Sequence, residues 1–288
     1  MAVDYFTIRA LDAERALLLS SIEVYRRSLE LTRNRRAGGL GSDLDVAQAE
    51  TVLKTAEAQV VDTALQRARF QNALAVLTGK VASVFRVLER PLDQTAFVVP
   101  AGLPSELLER RPDIAAAERR MAAANATIGV PTIRLGVSAG YQSGGFDTLF
   151  SWPSRFWAVG PSLSLPLFQG GRLRANLRQA QAVYEEGVAR YRQTVLAAFA
   201  EVENNLAAER LLADETEHEN AALLAARRQL EIANNRYRSG LVTYLEVATA
   251  QNTALAIERA CTRLRGQQVV TSVALIKSLG GGWEMPAG

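Results

Sequence analysis

The sequence has 288 residues, 48% hydrophobic and 22% charged, enough apolar content to bury a sizeable core and too much for a disordered chain. Its 33 basic and 30 acidic residues are interspersed along the chain, the pattern of solvated helix faces, which points away from nucleic acid as a partner. The single cysteine, Cys261, excludes an internal disulfide and a cysteine metal cluster, and the single histidine, His218, sits in "ADETEHEN" with no second histidine nearby.

In chain order, Ile8, Leu11, Leu18, Ile22, Tyr25 and Leu29 recur at steps of three, four and seven. That is a heptad seam, interrupted only at Arg15, and it predicts a helix in coiled-coil packing. The pattern breaks at "GGL", residues 38 to 40, and resumes as "SDLDVAQAETVLKTAEAQVVDTALQRARFQNALAVLTG". Ser42 or Asp43 is placed to cap this second helix and Gly79 to end it, giving a helical hairpin with a tight turn.

Farther on the period changes from helical to two. "PTIRLGVSAGYQSGG" sets Ile133, Leu135, Val137, Ala139 and Tyr141 on one face against Arg134, Gly136, Ser138, Gly140 and Gln142. "FWAVGPSLSLPLFQGG" does the same with Trp157, Val159, Leu163, Leu165 and Leu167. Each run has the length of a bilayer-crossing strand, and aromatics such as Tyr141, Phe146, Phe150, Trp152, Phe156, Trp157 and Phe168 cluster at the ends. A soluble hairpin with one half-buried face gives the same alternation, so both readings stand on pattern alone. Two strands close no barrel, so partners are expected from elsewhere.

A helix then runs from about Arg172 to Arg238 without a proline, and at 1.5 Å per residue it spans about 100 Å. Such a rod belongs to a long coiled coil, a bundle or a tube. It breaks at Ser239-Gly240-Leu241 and the helical pattern continues to about residue 278.

This break repeats the earlier one. Sliding the sequence by 201 positions lays "ARRQLEIANNRYRSGLVTYLEVATAQ" on "YRRSLELTRNRRAGGLGSDLDVAQAE" without a gap. Arg35 falls on Arg236, Gly39-Leu40 on Gly240-Leu241, Leu44 on Leu245, and the register persists to Gly79 on Gly280. The chain is therefore an internal duplication. Residues from about 102 to 201 find no partner in that register, so a complete relative is expected to carry roughly 100 or more residues ahead of Met1. The organisation expected is a first-repeat hairpin at 1–80, a linker with short helices at 81–130, a strand hairpin at 131–170 and a second-repeat hairpin at 171–282. The fold class is mainly α with a β-hairpin.

Three long motifs carry a resemblance: "LPSELLERRPDIAAAERRMAAANATIGV", "GPSLSLPLFQGGRLRANLRQAQAVYEEGVARYRQTVLAAFAEVENNL", and "RYRSGLVTYLEVATAQ" with the terminal "VALIKSLGGGW". In this order they resemble the outer membrane factor family, the TolC-like channels, and within it the NodT-type lipoproteins of tripartite efflux systems. The resemblance implies a homotrimer in which each protomer gives four strands to an outer-membrane barrel and long helices to a periplasmic tunnel. It also implies a periplasmic adaptor and an inner-membrane pump as partners, outer-membrane lipid around the strands, and passage of drugs or other small molecules. The lipid-facing set is then Ile133, Leu135, Val137, Trp157, Val159, Leu163 and Leu165. The family's RxxxGL tips fall on Arg35, Gly39 and Leu40 and on Arg236, Gly240 and Leu241, which resemble adaptor-docking sites. At such a tip glycine permits the reversal, and the leucine either offers an apolar knob to a partner helix or packs within its own turn. Leu245 matches the family's constricting leucine. Thr249 occupies a position that is acidic in many relatives, and Glu246 is expected one helical face away from it. The lipidation cysteine, the first two strands and several residues between "ATIGV" and "PTIRL" that the family carries have no counterpart in these residues.

No phosphate loop, metal-ligand spacing or nucleophile elbow occurs, so no catalytic residue, cofactor or metal ligand is assigned and no enzyme is expected. A periplasmic adaptor also presents a helical hairpin, but one tip and not two. A soluble coiled-coil scaffold leaves the strand alternation without a role.

Overall fold

The computed structural model describes residues 1–92, 111–126, 133–163 and 170–281. They form two units: residues 1–104 with 199–288, and residues 105–198.

In the first unit, helix α1 (Ala2–Ala37) and helix α2 (Asp43–Leu77) make the first hairpin. The heptad seam is the buried face: Ile8, Leu11, Leu18, Ile22, Tyr25 and Leu29 all lie in the core. Helix α2 answers with small and medium side chains, Ala49, Val52, Leu53 and Ala56, whose size lets the helices approach closely. Helix α4 (Arg172–Arg238) supplies Ala233 and Tyr237 to the same core, and helix α5 (Tyr244–Ser278) supplies Tyr244, Val247, Ala248, Ala250 and Leu255. Helices α1 and α5 pack tightly at Gly266 of α5, where an added Cβ would stand 2.5 Å from Cβ of Ala10. Even alanine there would push α1 and α5 apart. Truncating a fully buried anchor such as Leu18 to alanine costs about 2–5 kcal/mol, because the packed neighbours cannot collapse into the space.

Far from the tips, a buried ionic clasp joins the first hairpin to the extended segment that follows it. The Asp12 carboxylate accepts from Arg67 Nε at 2.6 Å, Arg9 Nη1 at 3.2 Å and the backbone N–H of Arg90 at 3.0 Å. The two guanidinium groups reach on to backbone carbonyls of the segment, Arg9 to Leu88 at 2.6 Å and Arg67 to Val87 at 2.8 Å. Gln71 accepts from Arg67 and from the Val87 N–H, at 3.1 and 3.2 Å. With Asp12 only 2% exposed, its charge is met by these donors, and losing one partner of such a set costs about 3–5 kcal/mol.

Cys261 is buried and desolvation pushes its thiol up, the behaviour of an inert core residue, while His218 is exposed on α4. No helix among the described residues is long and apolar enough to cross a membrane.

The second unit holds helix α3 (Pro112–Ala126) and an antiparallel pair, β1 (Ile133–Tyr141) and β2 (Arg155–Leu163). Pro112 opens α3, where its missing N–H costs nothing and its fixed φ suits the first turn. The alternation read from the sequence emerges as a register: Leu135 faces Pro161, Val137 faces Val159 and Ala139 faces Trp157. Period two makes every one of these side chains share one face. The "ATIGV"–"PTIRL" junction falls at 127–132, outside the described residues.

Candidate docking tips, constriction and strand hairpin

Both RxxxGL tips are built from one backbone device. At the end of α1, Gly39 stands at φ +75°, its N–H donates to Arg36 O at 2.9 Å, and the Leu40 N–H donates to Arg35 O at 2.8 Å. At the end of α4, Gly240 stands at φ +76°, with Gly240 N–H to Tyr237 O at 3.0 Å and Leu241 N–H to Arg236 O at 2.9 Å. This is the Schellman arrangement, and it explains the spacing of the motif. The arginine carbonyl must lie five residues before the leucine N–H, and the residue between them that turns left-handed must be glycine. The leucine follows as the first side chain beyond the helix. It commonly packs on the residue whose carbonyl it caps, but that residue is arginine at both tips. Leu40 and Leu241 remain 74% and 72% exposed, so neither is sealed in its own turn.

The side chains of the two arginines differ. Arg35 crosses to the second hairpin, donating to Arg238 O at 3.1 Å and lying 4.7 Å over the Tyr237 ring. Arg236 stays within its own hairpin and pairs with Glu246 at 3.2 Å. Between the tips lies a residue that sequence reasoning missed, Asp45. It closes a capping box with Ser42 at the start of α2, and its other oxygen accepts the Tyr244 N–H at 3.1 Å. Burial works to raise this carboxyl, but donors from the Ser42 and Tyr244 backbone, the Ser42 hydroxyl and the Arg35 charge outweigh it and hold it below its ordinary value. The S-x-x-D pattern at 42–45 signals the capping role, whereas nothing local signals the bond across to Tyr244.

Behind the tips, polar groups line the seam between hairpins. Tyr244 Oη donates to Gln251 Oε1 at 3.0 Å and lies 3.1 Å from the Ser28 hydroxyl, while Tyr237 and Tyr244 meet edge to face at 5.4 Å. Burial pushes the Tyr25 phenol, which donates to Gln251 O, up to about 12, with the charge of Glu258 adding to the effect.

Leu245, Glu246 and Thr249 lie together along an open recess of about 660 Å³ between α4 and α5. This corrects the expectation that Glu246 points to another face: residues three apart share a helix side, so Glu246 and Thr249 line the recess together. Leu245 is 55% exposed.

On the strand hairpin, Leu135, Val137, Trp157 and Val159 are all exposed, and together they make one continuous apolar face. Ile133 and Leu163 pair at its end in the register, and Leu165 lies outside the described residues. On the other face the Phe156 ring covers Gly140, a filling of glycine space that stabilises strand pairs. The connecting loop carries exposed Phe146, Phe150 and Trp152, with Arg155 stacked 4.0 Å over the Trp152 ring.

Two hairpins with matched glycine-leucine tips are thus joined in sequence to a strand pair with an exposed apolar face. Comparison with known proteins assigns the family. The profile of the outer membrane efflux protein family matches residues 1–80 and 103–281, and the chain belongs to that family. The toluene efflux pump outer membrane protein TtgF of Pseudomonas putida is 35% identical over 290 residues, which cover 99% of this chain and 60% of the relative. The pyoverdine export outer membrane protein OpmQ of Pseudomonas aeruginosa is 33% identical over 289 residues, 99% of this chain and 61% of the relative. Among solved structures, the outer-membrane channel OprN superposes with a TM-score of 0.85 at 32% identity, covering 98% of this chain and 65% of OprN. The outer membrane protein VceC from Vibrio cholerae gives 0.81 at 32% identity, covering 98% of this chain and 69% of VceC. The chain thus spans about 60% of the length of these curated relatives. Membership places it in the outer membrane of the Gram-negative envelope.

Proposed function

We propose that the chain is the outer-membrane channel component of a tripartite efflux system, a passive duct for drugs or other small molecules. It works as a homotrimer. The apolar face of β1 and β2 meets lipid as part of a shared barrel, and the helical hairpins stand as staves around a water-filled bore. Leu40 and Leu241 are the knobs that a periplasmic adaptor engages, with Arg35 and Arg236 beside them, and the inner-membrane pump lies beyond the adaptor. Leu245 narrows the bore, with Glu246 and Thr249 on the same side.

The observation that carries this reading is the pairing of two identically capped tips, each with an exposed leucine, with a strand pair whose apolar face is exposed among the described residues. Soluble folds bury such a face, because exposed apolar area is costly in water and strand edges invite aggregation.

The test is detergent dependence combined with mass. Extracted in detergent, the protein is expected to run as three copies by light scattering and to precipitate when detergent is withdrawn. A chain that stays monomeric and soluble in plain buffer sinks the proposal and restores the soluble coiled-coil scaffold.

A further inference from the structure

Helix α4 begins with a surface left exposed among the described residues. Residues 171–179 are all exposed, including Leu173 and Leu177 at 46% and 43%. The first acidic residue of α4 is Glu185, and before it stand Arg172, Arg174 and Arg178. Arginines in the first turns of a helix oppose its dipole, whose positive end lies there, so this charge does not serve the helix. No ion pair forms at Arg174 or Arg178 among the described residues. Leu173 and Leu177 are four apart and make one stripe; Arg174 and Arg178 make a second stripe along its edge. An apolar stripe edged by long cationic stems suits the boundary between acyl chains and headgroups, because the stems lie along apolar surface while the guanidinium groups reach outward.

What occupies this surface follows from charge and from position. Within α4 no acidic residue stands beside the stripe before Glu185, and α4 follows β2 in sequence within the same unit as the strand pair that bears the exposed apolar face. We infer that Leu173, Arg174, Leu177 and Arg178 form a docking surface for the anionic phospholipid headgroups of the leaflet that the strand pair enters. This rests on the reading that β1 and β2 face lipid. Guanidinium pairs phosphate through two parallel N–H donors, so charge and geometry both favour that headgroup.

Flotation of the 288-residue chain with lipid vesicles, diluted from detergent, tests this. Phosphatidylcholine vesicles alone measure insertion of the strand pair; vesicles with about 30% phosphatidylglycerol add the surface charge. Each arginine near an anionic surface is worth roughly a five-fold gain in partitioning, so the wild type is expected to prefer anionic vesicles by about 25-fold at low salt and to lose most of that at high salt. The variant R174Q/R178Q is expected to bind neutral vesicles as the wild type does, to keep its helical circular dichroism and to lose the anionic preference. R174K/R178K is expected to retain most of it. A wild type with no anionic preference, or a glutamine variant that keeps it, overturns the proposal. Loss of self-association in the glutamine variant with the anionic preference intact assigns the stripe to a second copy and overturns it equally. Failure to float on neutral vesicles strikes the lipid-facing reading of β1 and β2 and is seen separately from the response to charge.

Discussion

At the scale of single residues, Asp45 is where the two repeats are tied most economically. One carboxylate closes the start of α2 through Ser42 and holds the first N–H of α5 at Tyr244. A hydrogen-bonded carboxylate whose proton affinity falls on folding stabilises the fold only while it is ionised. Its folded value lies below the ordinary 3.8, so the contribution is complete above that pH and is lost as pH falls through the lower, folded value. Measured against Asp45→Asn, the melting temperature of the wild type is therefore expected to be higher at neutral pH, by the equivalent of about 1 kcal/mol, and the gap is expected to close in acid below about pH 4. A gap that persists unchanged into strong acid would show that the carboxylate's charge is not what joins the hairpins. The repeat-related residue Glu246 behaves differently because it bonds Arg236 instead of its own helix start, at a site where both side chains are about half exposed. Exposed pairs of that kind contribute little, and of the two related carboxylates only Asp45 caps its helix.

At the scale of elements, the tips depend on backbone conformation more than on side-chain contacts. An added Cβ at Gly39 meets nothing within 4 Å, and at Gly240 it meets only Arg35 Nη2 at an ordinary 3.8 Å. Space is therefore not the constraint; the left-handed φ is. Gly39→Ala and Gly240→Ala are each expected to cost about 1–2 kcal/mol, seen as a lower urea midpoint with unchanged slope and helicity. Full stability in either variant would mean that the reversal does not need the left-handed turn. These tips, the heptad seam of α1 and the strand alternation were all legible in the sequence because each is fixed by neighbours within a few positions: a period of three and four, a glycine before a leucine, an alternation of two. The bond from Asp45 to Tyr244 and the clasp from Asp12 to Arg90 were not, since 199 and 78 positions separate their ends and no local period records such a meeting. Glu246 was misplaced for a different reason. Its three-residue step from Thr249 was read as a change of face, although at 3.6 residues per turn three residues bring the chain back to the same side.

For the whole assembly, the proposed duct turns on what a ring of three identical side chains does to water. Leu245 is half exposed in the single chain, so it adds little to the stability of α5 and is available for the constricting role proposed for it. In the proposed trimer, threefold symmetry would bring three such leucines into an apolar constriction, and a constriction of that kind closes to ions by excluding water and not by filling the channel completely. Serine at the same position keeps the helix and removes the apolar surface, since its hydroxyl can turn to water or to the carbonyl one turn back, as the Thr249 hydroxyl does at 2.8 Å to Leu245 O. Leu245→Ser in the assembled channel is therefore expected to raise single-channel conductance in planar bilayers and to leave the trimer mass and circular dichroism as they are. Conductance equal to wild type would move the constriction away from Leu245. Glu246 offers an internal comparison in the same recording, because it lines the same recess and carries charge. Glu246→Gln should change cation selectivity more than total current if its carboxylate faces the bore, and if Leu245 and not Glu246 sets the width, the two variants separate width from charge at one level of the duct.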